Sequence, residues 1–255
     1  MKILLNILTH GDERIGLKVA QEIQRFKIDK NLFSVQIANQ KAYKKNKRFI
    51  HQDLNRSFPG KKTGNHEETL AYKLTPLIKS ADLVIDIHST LCNLKDAIIV
   101  TKLDTATKRC LEAIQPKYVL VMNATKNNAL ISQAKIGIAF EYGQDNDPKN
   151  LEKMVKDIKR LFVHLGLVKQ PLRKRNRAIK YFNVTSEVAK PKGYQLLKDI
   201  KSYKLVRKSE AYATNNKNTL MANLVAQEDF YPILFGDSNY ETIFGFMAKK
   251  ISGLA

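Results

Sequence analysis

Four short segments carry the residue types from which a metal-assisted hydrolytic site can be built. They are His10-Gly11-Asp12-Glu13, Arg48 with Asp53-Leu54-Asn55-Arg56, Asp86-Ile87-His88-Ser89, and Phe140-Glu141-Tyr142-Gly143. Together they offer two histidines and a carboxylate for a metal, two arginines and an asparagine for a carbonyl and a carboxylate, and one further glutamate for proton transfer. Zinc accepts imidazole nitrogen and carboxylate oxygen at ~2.0–2.2 Å, and sites with two His and one Glu keep a position open for water. The three-residue spacing of His10 and Glu13 lets both reach one ion if the chain begins to coil at Gly11. Alone, that pair reads equally well as a helix entry, with Glu13 a first-turn acid facing the helix dipole.

His88 shifts the balance. In Leu83–His88 the apolar Leu83, Ile85 and Ile87 share one face of a strand, and Asp86 and His88 share the other. In open α/β sheets ligands gather beyond the carboxyl ends of the strands. The first strand is expected to end near His10, which would place two histidines at one sheet edge. Asp86 is then a candidate for fixing the orientation and tautomer of a ligand. The alternative is that Asp86 and His88 only satisfy each other. His51 and His66 stand in polar loop or helix-start contexts and His164 among helix-surface residues, so they are poorer ligands.

Arg48 and Arg56 flank a segment with little helical or strand character. A planar guanidinium matches a carboxylate through two parallel hydrogen bonds, which lysine cannot reproduce. Asn55 adds an amide that can donate to the same anion, and Asp53 reads as a buried partner that positions the loop. Glu141 closes the apolar run Ile136–Phe140. A carboxylate at the end of a buried strand has its pKa raised, which suits a general base acting on water at a metal.

These residues need a sheet to position them. Residues 2–8 read as a buried strand, and Gly16, Val19, Ala20, Ile23 and Phe26 as one face of a helix. Phe33, Val35 and Ile37 alternate as a second strand. Residues 41–63 are polar and irregular, with a turn at Phe58-Pro59-Gly60, and helical spacing returns from His66 to Lys79. Further strands are expected at 97–101, 117–122 and 136–141, followed by an amphipathic helix carrying Leu151, Met154, Ile158, Leu161 and Phe162. Such alternation implies a central, largely parallel sheet with helices on both faces. After Gln170-Pro171 and the basic cluster Arg173–Arg177 the helical periodicity fades, and short strand-like runs (178–184, 203–207, 231–235) take over. The expected domains are residues 1–168 and 169–255.

A chain of 255 residues with 44% hydrophobic content can bury a large core. Its two cysteines, Cys92 and Cys110, form no disulfide framework and lack zinc-ligand spacing, which points to a reducing compartment and a cytoplasmic protein. The N-terminal run lacks the apolar core and cleavage site of a signal peptide. No uninterrupted apolar run reaches the ~18 residues of a membrane span. The formal charge of +20 is uneven: residues 169–208 hold thirteen Lys and Arg against Glu187 and Asp199. Tyr181, Phe182, Tyr194 and Tyr203 are interleaved there, as in a single-strand nucleic-acid binder. The preferred reading is a β-rich unit with aromatics inward and lysines in water.

With the motifs in this order, the sequence resembles the succinylglutamate desuccinylase/aspartoacylase family, an amidohydrolase branch of the zinc carboxypeptidase-like fold. His10-Gly11-Asp12-Glu13 resembles its first metal motif and Asp86-Ile87-His88 its second. Arg48 resembles its carbonyl-polarising arginine, Asp53–Arg56 its substrate-carboxylate motif, and Glu141 its catalytic glutamate. The stretch from Tyr231 to Tyr240 resembles the segment that returns a tyrosine over the active site. The resemblance implies a three-layer α/β domain with a mixed central sheet and a smaller β-rich C-terminal domain. It implies one Zn²⁺ per chain on His10, Glu13 and His88, with Glu141 and Arg48 catalytic. Asn55, Arg56 and Tyr240 would bind a small anionic N-acyl amino acid. One departure stands out: animal aspartoacylases carry an arginine ten residues before the catalytic glutamate, and here that position is Ile131. The charge that helps hold an aspartyl substrate is therefore not carried over. The rival readings are a zinc carboxypeptidase with the same metal set, a nucleic-acid binder with a vestigial metal site, and, more remotely, a cysteine hydrolase using Cys92 and His88. No membrane partner is expected and oligomeric state is left open.

Overall fold

Short apolar strands that alternate with amphipathic helices bury a sheet between two helical layers. The computed structural model describes residues 1–90, 96–122, 128–171, 175, 177–215, 223–236 and 240–252. Its first part runs β1 (Ile3–Ile7), α1 (Ile15–Gln24), β2 (Phe33–Ile37), α2 (Gln40–Lys44), α3 (His66–Ser80), β3 (Leu83–His88), β4 (Ala97–Val100), α4 (Thr105–Ile114), β5 (Tyr118–Met122), β6 (Ile136–Glu141) and α5 (Pro148–His164). Then come β7 (Lys180–Ala189), β8 (Gln195–Leu196), β9 (Ala211–Thr214), β10 (Asn223–Val225), β11 (Tyr231–Ile233) and β12 (Ile243–Ile251). Two 3₁₀ turns, Leu54–Arg56 and Leu130–Gln133, sit in the connections.

Among the described residues the main sheet has the order β11-β12-β7-β5-β4-β6-β3-β1-β2. β1, β2, β3 and β6 are mutually parallel, while β4 opposes β6 and β12 opposes both β7 and β11, so the sheet is mixed. β8, β9 and β10 form a separate antiparallel sheet. The fold is thus a three-layer α/β unit with an additional β-rich C-terminal part. β7, β11 and β12, which follow residue 168, add to the main sheet.

Every residue of β3 is buried. Ile85, Ile87 and Ile138 face α1, α4 and α5, against Val19, Leu111, Ile158 and Phe162. Each such side chain contributes about 1.5–3 kcal/mol on leaving water. Val84 and Ala139 face the other way, toward Leu74 and Ile78 of α3 and Leu130 of the second 3₁₀ turn. With a period of two, Asp86, His88 and Glu141 share that second face. β3 and β6 pair in register, with His88 opposite Glu141, and β1 lies on the other side of β3. The carboxyl ends of three neighbouring strands therefore deliver the candidate residues to one place.

Two local expectations change. The first strand ends at Ile7 rather than running on to His10, because Leu8 adopts a left-handed backbone (φ 57°) that turns the chain. Residues 203–207 form no strand: only an isolated bridge joins Val206 to Phe230, and Tyr203 and Ser209 have positive φ, which breaks an extended run. The aromatics of the basic segment point inward. Phe182 is buried, and Tyr203 stacks on Tyr118 with centroids 3.7 Å apart. Among the described residues no helix is long and apolar enough to cross a membrane.

Candidate active site

His10 lies in a tight turn past β1, where Glu13 N donates to His10 O over 3.2 Å. This is the coil that a spacing of three requires. Gly11 makes it feasible, since a Cβ there would stand 2.3 Å from Tyr43 N. The first turn of α1 contains no acid, so Glu13 is not a helix-entry residue. The free N–H at that entry is instead met by Asp145, which accepts from Ile15 N at 2.6 Å.

The two imidazoles turn their Nδ1 atoms to one carboxylate. His10 Nδ1 is 2.8 Å from Glu13 Oε1 and His88 Nδ1 2.9 Å from Glu13 Oε2. Ligand atoms of His10, Glu13 and His88 all lie within 4.8 Å of one another. The outer nitrogens are also held: His10 Nε2 meets Asp53 Oδ1 at 2.9 Å, and His88 Nε2 meets Asp86 Oδ2 at 2.8 Å. The second oxygen of Asp86 accepts from Asn6 Nδ2 and Thr9 Oγ1, each at 2.8 Å. Burial opposes charge on Glu13, yet His10 and His88 beside it hold its carboxyl well below the ordinary value. Burial likewise opposes charge on His88, but Asp86 and Glu13 raise it well above the usual imidazole value.

Arg48 reaches the same cluster, donating to Glu13 Oε1 at 2.8 Å and lying 3.2 Å from His10 Nε2. Its loop is pinned by a buried carboxylate in the first turn of α3. Glu67 accepts from the backbone N–H of Ile50, His51 and Gln52 and from Asn39 Nδ2. Asp53 caps the 3₁₀ turn through Asn55 N at 2.7 Å. Asn55 Oδ1 accepts from Leu130 N at 2.8 Å, which leaves the amide nitrogen as the group able to donate into the cleft. Glu141 faces the cluster from β6, and burial pushes its carboxyl up to about 8.

All the proposed site residues line one cleft: His10, Glu13 and His88; Arg48, Asn55 and Arg56; and Glu141 and Tyr240. Counting the open space at its mouth, the cleft encloses about 640 Å³. Cys92 and residues 237–239 lie outside the described residues; Cys110 is a buried free thiol on α4. Sequence reasoning missed Glu67, Asn6 and Thr9. A polar Asn6 within the apolar run of β1 was the available signal. Nothing in the irregular 41–63 segment marked Glu67 as its anchor, nor Asp53 as the partner of His10.

Residues 2–165 match the family model described as the succinylglutamate desuccinylase/aspartoacylase catalytic domain. A probable aspartoacylase of Nostoc sp. is 31% identical over 154 residues, covering 53% of this chain and 52% of that protein. An N-alpha-acetyl-L-2,4-diaminobutyric acid deacetylase of Halomonas elongata is 30% identical over 185 residues, covering 64% and 54%. The chain spans about half the length of the curated relatives it matches. The crystal structure of murine aminoacylase 3 superposes with a TM-score of 0.80 at 17% identity, covering 98% of this chain and 95% of that one, a likeness of fold.

Proposed function

We propose, from the premise that the chain belongs to the succinylglutamate desuccinylase/aspartoacylase family of hydrolases, that it is a zinc-dependent amidohydrolase. Its substrate would be an N-acyl amino acid or a similar small carboxylate-bearing amide. One observation carries the reading: two histidine Nδ1 atoms converge on the Glu13 carboxylate, with Glu141 on the adjoining strand. Two imidazoles and a carboxylate are a zinc donor set. Their outer nitrogens rest on Asp53 and Asp86, the arrangement that fixes the tautomer of a ligating histidine. The residues fit the metal, so His10, Glu13 and His88 would hold one Zn²⁺ per chain.

When bound, zinc supplies Lewis acidity toward a carbonyl oxygen and lowers the pKa of water. Glu141 takes the proton from the attacking water and returns it to the leaving amine. Burial raises its proton affinity toward the range in which a carboxyl both takes up and gives back a proton near neutral pH. Arg48 stabilises the negative charge that develops on the carbonyl oxygen. Arg56 and the Asn55 amide anchor the substrate carboxylate, and Tyr240 adds a contact at the cleft wall. In this reading residues 1–168 form the catalytic domain and 169–255 a β-rich domain that closes over the site, supported by Leu234, Tyr240 and Phe246 on the cleft wall. A cytoplasmic location suits the buried free thiol of Cys110, the state a reducing compartment maintains.

Metal analysis together with a screen of N-acyl amino acids tests the proposal. One zinc per chain and amide hydrolysis are expected in the wild type, with neither in His88→Ala. Zinc content unchanged by His88→Ala would remove the site assignment.

A further inference from the structure

The cleft lining is of two kinds. One is polar: the proposed metal cluster, Glu141, the carboxylate anchor, and the hydroxyls of Thr101 and Tyr240. The other is apolar and includes Ile99, Met122, Ile131, Leu234 and Phe246. Among the described lining residues only Arg48 and Arg56 carry a permanent positive charge. Arg48 is engaged with Glu13 and His10 at the metal end. That leaves Arg56, with the Asn55 amide, to neutralise a substrate anion. A second carboxylate set against these apolar side chains would be stripped of water, and among the described lining residues only the neutral hydroxyls of Thr101 and Tyr240 stand beyond the anchor to donate to it, with no further cation to balance its charge.

The wall is also held in place. Asn55 Oδ1 accepts from Leu130 N, so the turn that carries the anion anchor is tied directly to the turn that carries Ile131. On the far side Ile131 rests on β6, where a Cβ at Gly137 would stand only 2.2 Å from Ile131 O. Backbone against backbone leaves no slack for Ile131 to withdraw. Ile131 is thus fixed relative to the anion anchor by the Asn55–Leu130 bond and by its close packing on the side-chain-free Gly137.

We infer that the cleft selects substrates with a single carboxylate and an apolar group, with Ile131 as the specificity-determining residue that disfavours a second carboxylate. This rests on the amidohydrolase reading of the same cleft. The apolar group can belong to the amino acid or to the acyl chain, and N-acetyl-leucine and N-hexanoylglycine separate the two.

The experiment measures kcat/KM of the zinc-loaded protein for those two compounds and for N-acetylaspartate, in wild type and Ile131→Arg. It also measures calorimetric binding of the same three compounds to Glu141→Gln, with and without Ile131→Arg. Because Ile131 is buried, Ile99→Arg, half-buried on the same wall, serves as a second variant. At least one apolar compound is expected to exceed N-acetylaspartate in the wild type. Arginine on the wall is expected to move the ratio toward the dicarboxylate by ~10-fold or more, the size of a charge-assisted hydrogen bond. A wild-type preference for N-acetylaspartate, or a ratio that neither arginine changes, overturns the inference. If the wild type hydrolyses none of the three, the amidohydrolase reading fails and binding to Glu141→Gln decides the wall alone. Apolar preference lost on adding arginine upholds it, and equal or absent binding of all three overturns it.

Discussion

Two buried carboxylates, Glu13 and Asp157, sit on the two sides of the Glu141–Tyr142 step, and their company differs. Glu13 is met by two imidazoles, Arg48 and the N–H of Ser89, and it borders the cleft. Asp157, on α5, is met by Tyr142 Oη at 2.9 Å, Lys153 Nζ at 3.0 Å and Arg175 at 2.8 Å. It borders no part of the cleft. Imidazoles are neutral or charged according to what lies beside them, and in the proposed reading the Glu13 cluster exchanges a proton for a metal. The partners of Asp157 are lasting cations and a phenol whose proton is held well above its ordinary pKa by burial and by Asp157 itself. A buried acid alone therefore says little about function; the titratability of its partners and its access to the cleft separate a working site from a clamp. The same clamp uses Arg175, and Arg177 pairs with Asp96 at 3.0 Å. Part of the basic segment that suggested a polyanion partner is thereby spent inside the protein.

Three substitutions test that contrast. Glu141→Gln should lower kcat by ~10²–10⁴-fold, the usual cost of losing a general base, with zinc content unchanged; near-normal kcat on a confirmed substrate would remove Glu141 from the chemistry. Asp157→Ala should do the reverse. It leaves the half-buried Lys153 and Arg175 and the Tyr142 hydroxyl without this partner and should cost about 3 kcal/mol of stability, read by denaturant unfolding, with zinc stoichiometry retained. Zinc loss without destabilisation would erase the distinction between the two clusters. Asp86→Ala should sit between them, weakening zinc binding by ~10–100-fold as a lost support for a ligating histidine, measured by competition with a chelator. Unaltered affinity would mean that the contact with His88 does not tune the metal.

The smallest effect is expected at an exposed carboxylate. Asp104 caps α4, accepting from Thr107 N at 2.8 Å, and that bond together with Lys102 holds its carboxyl at about 2. Asp104→Ala should cost about 1 kcal/mol at neutral pH. A depressed carboxylate stabilises fully above its unfolded value near 3.8 and loses the contribution as pH falls toward 2. The gap between wild type and variant should close across that window, and a gap constant from pH 6 to pH 2 would contradict the cap assignment.

Much of this site could be read from the chain because strand alternation and position at a strand end survive translation into sequence. Periodicity puts Asp86 and His88 on one face of a strand, the end of an apolar run marks Glu141, and the pairing of β3 with β6 sets His88 opposite Glu141. His10 was harder, since the left-handed Leu8 that turns the chain has no signature in a β-forming side chain. The 48–56 loop has no period at all. Its shape comes from Glu67, a distant residue whose three backbone contacts leave no local trace. The β-rich character of the C-terminal part was legible, but its division between two sheets was not, because pairing across fifty residues or more depends on partners rather than on propensity.

The placement of β12 bears on how the protein assembles. Phe246 reaches the cleft only through strands that pair near the end of the chain, β7 with β12 and β12 with β11. His10 and Glu13 lie in the turn between β1 and α1, and His88 closes β3, all far ahead of β12 in the chain. Pairing between distant segments forms slowly. β1 and β3 pair residues 80 apart, whereas β7 and β12 pair residues 54 to 70 apart and β11 and β12 residues 13 to 17 apart, so pulse-labelled hydrogen exchange during refolding should protect β11 and β12 no later than β1 and β3. The two ends of the chain would then each raise their own part of the cleft, one bringing the candidate ligands and the other the apolar side chains, before the sheet joins them.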